Sequence, residues 1–168
     1  MHVVVAPVFG TNCTVVSAPG GDCVVVDAGA GVADAVVAHV RSAGLVPRAV
    51  LATHGHVDHT WDAAALADRF GVPVVLHAAD AYRLADPFGS LEHGGPAASR
   101  PGAVVGRPRG AGGRGGGAGG GDYREPSRVE TFDVPAGGEQ ELRWGGVALR
   151  AVGARGASAG SPGGGVAG

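Results

Sequence analysis

The sequence has no lysine and no isoleucine, and Asn12 is its only asparagine. All 13 basic residues are therefore arginine, a bias against codons rich in A and T that fits a GC-rich, bacterial genome. Aromatic residues are few, 5% of the chain, and only one, Tyr123, accompanies the Gly/Arg-rich segment, which therefore lacks the stacking platforms on which single-stranded nucleic acids are held. There is no uninterrupted stretch of about twenty apolar residues, which excludes a membrane-spanning helix. The opening "MHVVVAPVFGTNC" has no cationic leader before its apolar run, so the expected location is the cytoplasm. Cysteine is also scarce. Cys13 and Cys23 flank the turn-like "SAPGGD"; a hairpin closing near Gly20 pairs Cys13 closer to Asp27 than to Cys23, and two reduced, buried thiols are expected rather than a disulfide. The formal net charge of -2 gives no general argument for a nucleic acid partner.

The residues that are present divide the chain unevenly. Apolar, periodic patterns fill residues 1–93, whereas Gly, Arg, Pro and Ala dominate 94–124 and again 154–168. Residues 3–8, 12–17 and 23–27 read as strands, the last two as a hairpin. "GVADAVVAHVRSAGL" places Val32, Val36, Val37 and Val40 on one helical stripe that stops at Gly44. "PRAVLATH" then gives a buried strand, "TWDAAALADRFG" a helix ending at Gly71, "VPVVLH" a further strand and "AADAYRLAD" a further helix. This alternation implies an α/β layered fold. Residues 106–124 lack any apolar face and are expected to be disordered. Order is expected to resume over 125–153, with "RVETFDV" and two alternating runs around Gly145-Gly146. The tail has too little apolar surface for an interior strand and reads as disordered, or as the product of a shifted reading frame in a GC-rich gene.

One stretch carries chemistry. "LATHGHVDHTWD" places His54, His56, Asp58 and His59 within six positions, directly after an apolar strand. Divalent ions such as zinc take imidazole and carboxylate ligands held on constrained backbone. His54 and His56, two apart on a turn, can face one ion, while Asp58 and His59 at the next helix start can face a neighbouring one. A water held between two such ions attacks a carbonyl or phosphoryl group, with the Asp58 carboxylate ordering it or accepting a proton. The bland alternative makes Asp58 a helix cap among exposed histidines. His77, at the end of its strand, reads as a surface histidine.

"THGHVDH" matches the T-H-x-H-x-D-H signature of the metallo-β-lactamase fold, and "FGTNCTVV...GGDCVVVDAGAG" resembles the family's opening strands. More narrowly, "VLATHGHVDHTWD" followed by "VPVVLHAADAYRLADP" resembles the glyoxalase II-like branch, which hydrolyses thioesters. The resemblance implies an αββα sandwich of which this chain supplies the N-terminal portion, with a Gly/Arg-rich insert and tail. It implies that His54 and His56 hold one zinc and Asp58 and His59 a second, with iron or manganese as alternatives. Asp27 and Asn12 would organise the site from outside, against readings as a solvated turn acid and a strand-edge hydrogen bonder. A small-molecule thioester is the implied substrate.

The sequence departs from the family where the third histidine of the first metal belongs. There the chain reads "ARGASAGS": Gly156, Gly160 and Ser161 fit, but Ala157 stands in place of histidine and donates no electron pair. The family's later ligands, a bridging aspartate and a final histidine, have no counterpart before the chain ends. A thioester hydrolase and a catalytically incomplete remnant of the same fold are thus both expected readings. A truncated sandwich also leaves an unpaired sheet edge, and self-association through it is expected. A third reading, nucleic-acid binding, rests on Arg107, Arg109, Arg114, Arg124 and Arg128 among glycines, with Tyr123 as the sole aromatic; a plain insert is the favoured account.

Overall fold

Two sheets form the body of the protein, and the order of the strands explains where its side chains converge. The computed structural model describes residues 1–88 and 122–153 and the backbone of 162–165. The first sheet runs β1 (His2–Val5), β2 (Asn12–Ser17), β3 (Asp22–Val26), β4 (Val46–Leu51), β5 (Val74–His77), β6 (Val129–Phe132), each strand beside the next. β1 to β3 are antiparallel neighbours, whereas β3 to β6 are parallel. In the expected hairpin Thr14 lies opposite Val26, which takes Cys13 toward Asp27 and away from Cys23. Both thiols are free and buried. Burial pushes the Cys13 thiol up to about 12 and that of Cys23 up to about 11, so neither is a nucleophile at neutral pH.

β3, β5 and the second half of β4 are apolar on both faces because both are covered, whereas β6 at the sheet edge is largely exposed. On one face α1 (Ala33–Ser42) and α3 (Ala63–Phe70) bury Val36, Val37, Val40 and Leu66 against Val15, Val25, Val50 and Val74. α1 buries the predicted stripe, and α3 ends at Gly71 in the left-handed conformation, φ +67, that lets a glycine close a helix. On the other face lies the second sheet, β7 (Glu139–Trp144), β8 (Val147–Gly153) and β9 (Pro162–Gly165), all antiparallel. Alternate residues of β8, among them Val147 and Leu149, pack on Val24, Ala49, Leu51 and Val75. Between the sheets a cavity of ≈ 250 Å³ remains, with Val16, Val26, Leu51, Leu149 and Ala151 in its wall and Asp27 with Thr53 at one end. On one side of that part of β8 lies β7, whose Leu142 also lines the cavity, and on the other β9 contributes only Gly164 opposite Ala151 and Gly165 opposite Arg150. No described helix is long and apolar enough to cross a membrane.

Several expectations change. The predicted helix "TWDAAALADRFG" is α3, starting at Ala63 rather than Thr60; a separate one-turn helix, α2 (Val57–Thr60), precedes it, and between them the backbone N–H of Asp62 donates to Ala28 O at 2.9 Å. The "AADAYRLAD" helix is likewise a 3-10 turn, Ala78–Asp80, followed by α4 (Tyr82–Ala85). His77 is not a surface histidine. It is buried, its Nδ1 accepts from Ala79 N at 3.2 Å, and its ring packs edge-on to Phe132. The tail is not without structure either, since Pro162–Gly165 forms the edge strand β9, placed by its ladder with β8, which an apolar count does not register. Ordered contacts also begin before residue 125. The Tyr123 hydroxyl donates to Leu84 O at 2.8 Å and its ring meets Trp61, while Arg124 pairs with Asp68. The expectations for residues 94–121, and for Gly156, Ala157, Gly160 and Ser161, lie outside the described residues, as do Arg107, Arg109 and Arg114. Arg128 pairs with Glu130. β1, an edge of the first sheet, exposes Val3 and Val5.

Candidate metal centre

Parallel strands deliver their C-terminal ends to a single sheet edge, and the site is assembled there. Asp27 follows β3, Thr53 and His54 follow β4, and α2 begins three residues later. Among the described residues one group can hold an ion: His54, His56 and Asp58 present ligand atoms that all lie within 4.8 Å of one another. His54 and Asp58 are half-buried and His56 is exposed, leaving the group open on one side. Asp58 lies within α2 rather than capping it, since the cap position belongs to His56.

The imidazoles are oriented by neighbours. Thr53 Oγ1 lies 3.0 and 2.9 Å from the two Asp27 carboxylate oxygens and 3.1 Å from His54 Nδ1. A hydroxyl has one hydrogen, and an ionised carboxylate can only accept it. Oγ1 therefore accepts from His54 Nδ1–H, and Nε2 keeps the lone pair a metal requires. Burial holds the His54 pKa below its ordinary value, reinforced by His59 and His56 and opposed by Asp27 and Asp58. A neutral imidazole is the ligand form.

His59 stands at the margin of the group, with its Nε2 3.3 Å from Asp58 Oδ2 and its Nδ1 3.1 Å from Asp27 Oδ2. The Nδ1 contact is an ion-pair approach without hydrogen-bond alignment, so this buried atom lacks a well-directed partner. Burial disfavours charge on His59, yet the Asp27 carboxylate and, after it, Asp58 outweigh this and raise its pKa. The structure thus draws Asp58 toward both His54–His56 and His59, between the two halves into which the resemblance divides these ligands. A carboxylate between imidazoles is a chemically suitable oxygen and nitrogen set for a divalent ion.

Asp27 is buried, and its carboxylate also accepts from Thr53 N at 2.8 Å. Its φ of +58 is the only positive value at a non-glycine among the described residues, a conformation Asp tolerates better than most residues. Two positions on, Gly29 has no room for a Cβ, which would lie 2.6 Å from Asp58 O. Asn12 is exposed at the start of β2, opposite Val5, and its side chain makes no hydrogen bond to the group. The preceding residue, Thr11, is buried instead, with its hydroxyl 3.5 Å from Asp58 Oδ2.

Sequence reasoning assigned no role to Thr11, Thr53, Asp62, Asp80 or Arg83. Thr53 heads the histidine motif and was the most readable of these, because a hydroxyl before the first ligand can fix its tautomer. Asp62 accepts from Gly31 N and Ala33 N at 3.0 and 2.9 Å, capping α1 rather than its own helix. Such a partner, some thirty residues away, leaves no local pattern.

A family model, the Metallo-beta-lactamase superfamily, matches residues 6–161. An uncharacterized protein of Mycobacterium tuberculosis is 41% identical over 87 residues, which is 51% of this chain and 39% of the relative. A hydroxyacylglutathione hydrolase of Anaeromyxobacter dehalogenans is 44% identical over 72 residues, 43% of this chain and 28% of that protein. The matched part thus spans well under half the length of these curated relatives. Among solved structures, the B3 metallo-beta-lactamase BLEG-1 aligns with a TM-score of 0.66 at 23% identity, covering 98% of this chain and 66% of that one. A protein solved in a di-iron-bound form aligns with a TM-score of 0.62 at 20% identity, covering 96% and 65%. The fold and the sequence match agree: this chain belongs to the metallo-beta-lactamase superfamily.

Proposed function

We propose that the protein is a metal-dependent hydrolase acting on a small-molecule thioester, with His54, His56, Asp58 and His59 as the residues that hold the metal. The observation that carries this reading is the convergence of His54, His56 and Asp58 at ligand distance. The partial match to a hydroxyacylglutathione hydrolase supports the thioester class. Zinc is the proposed metal, with iron or manganese suited to the same oxygen and nitrogen donors. A divalent ion bound there supplies Lewis acidity toward water and toward a carbonyl oxygen. The chain's own residues set the conditions for it. Thr53 keeps His54 in the tautomer with Nε2 free, the Asp27 carboxylate 3.1 Å from His59 Nδ1 favours charge on that ring, and the half-exposed Asp58 carboxylate can accept a proton from an attacking water.

A second reading, a metal-binding but inactive member of the superfamily, is favoured by Ala157, which stands where the family pattern has a histidine. The two separate in one experiment. Protein loaded with zinc is assayed for hydrolysis of a hydroxyacyl thioester, and bound metal is counted in the same samples. The hydrolase reading expects turnover that His56→Ala removes together with more than about 100-fold in metal affinity, beyond what loss of an outer partner costs. Metal uptake without turnover establishes the second reading, and equal rates in wild type and His56→Ala remove the first.

A further inference from the structure

Gly55, the residue between His54 and His56, is gripped by a pair of charged side chains from the turn after β5. Its backbone N–H donates to Asp80 Oδ2 at 3.2 Å in a buried hydrogen bond. Asp80 Oδ1 accepts from Arg83 Nε, also at 3.2 Å. The Asp80 side chain is 3% exposed and that of Arg83 11%. The fit is tight: a Cβ on Gly55 would lie 2.7 Å from Asp80 O and 2.9 Å from both Cβ and Cδ of Arg83. An ionised carboxylate this deeply buried needs a counter-charge and satisfied oxygens, and here one oxygen takes each role. Arg83 in turn keeps Nη1 buried without a partner among the described residues, while its Cζ lies 5.1 Å from the Tyr82 ring centroid. An arginine left with an unmet donor is costly as a purely structural element, because an apolar residue would fill the same volume without that penalty.

We propose that Asp80 and Arg83 are positioning residues for the metal centre, fixing the spacing of His54 and His56 through the Gly55 amide. The inference rests on the metal reading of the preceding subsection. Two ligands separated by one residue share four backbone torsions across that residue and its neighbours, so holding the central N–H restricts both imidazoles at once. Asp80 acts from below the turn, while Thr53 and Asp27 act on the His54 ring itself. Arg83 aims the Asp80 carboxylate through its Nε donation, and its aliphatic stem fills the space a Cβ on Gly55 would need.

The test uses the whole chain. Cobalt(II) titration, read by its visible absorption bands, gives affinity and ligand geometry together, and hydrogen exchange at the Gly55 amide reads the clamp without metal. Asp80→Ala is expected to weaken cobalt binding by about 10- to 100-fold, the range for outer-shell partners, to alter the bands, and to speed Gly55 exchange. Asp80→Asn, which keeps an oxygen toward Gly55, is expected to retain much of the protection, and Arg83→Gln to fall between the two. Should Asp80→Ala not fold, Asp80→Asn and Arg83→Gln decide by the same readouts. Folded variants with wild-type affinity, bands and Gly55 exchange overturn the proposal. Wild-type protein that takes up no cobalt, yet shows a Gly55 amide protected by Asp80, removes the metal reading and the positioning role toward it while leaving the clamp as a structural contact.

Discussion

The two sheets of this protein are built by different means. In the larger, β3, β5 and the second half of β4 are covered on both faces, and Val24, Val25, Val50 and Val74, with Leu66 of the covering helix α3, are fully buried or nearly so. In the smaller, only alternate residues of β8 are buried, β7 is largely exposed, and β9 is attached through its backbone to a cavity wall. The contrast teaches that a sheet can have continuous hydrogen bonding without a continuous core. Ladder bonds fix where the backbone goes, while apolar packing determines most of how firmly it stays there.

Core truncation should expose this difference most strongly. Leu66→Ala, at a site with no exposure, is expected to lose about 4 kcal/mol in denaturant unfolding, whereas Leu149→Ala, beside the cavity, should lose about 2 kcal/mol. Equal losses would break the comparison. The cavity offers the opposite experiment: Ala151→Leu adds three carbons toward unfilled space and is expected to raise stability by about 1 kcal/mol, where the same change in a packed core costs about 1 to 3 kcal/mol. The volume of ≈ 250 Å³ exceeds that of a 150 Å³ cavity known to accept benzene, so room is not limiting.

Titration sharpens the comparison at the site edge of the larger sheet. The His59 pKa is raised in the folded protein by Asp27 and Asp58 against burial. Its contribution to the metal-free protein is thus fully present below the ordinary histidine value of 6.5 and is lost as pH rises through the raised one. Asp27→Asn should shift the His59 ring titration downward in an NMR experiment, and an unchanged midpoint would remove Asp27 as the cause. If His59 is a ligand, as proposed above, metal binding displaces the same proton, and affinity should climb across this window. The smallest expected effect is at the surface. Asp34→Asn breaks an ion pair with Arg69 whose side chains are 94% and 49% exposed, and the thermal midpoint should not move measurably.

Legibility in the sequence followed the same division. Strands β2, β4 and β5, the stripe of α1 and the stop at Gly71 all depend on local apolar spacing, and they lie where spacing places them. The four metal candidates were readable because they are contiguous. The residues that orient them were not: Asp27 reaches Thr53 across 26 positions, and Asp80 reaches Gly55 across 25. Such contacts arise only when parallel strands bring their ends together, and no periodicity records which end meets which. β9 is illegible for another reason, since an edge strand of one proline and three glycines presents no hydrophobic signal.

The parallel arrangement gives the larger sheet two unlike rims. At the rim opposite the site, β3, β4 and β5 begin, and the chain enters them through Gly21, Gly44 and Gly71. A Cβ at Gly44 or Gly71 would meet nothing within 4 Å. This rim is therefore a handle: a fluorophore, an affinity tag or a new chain terminus could be introduced near residues 44 and 71, reporting on the protein from the side that its chemistry does not use.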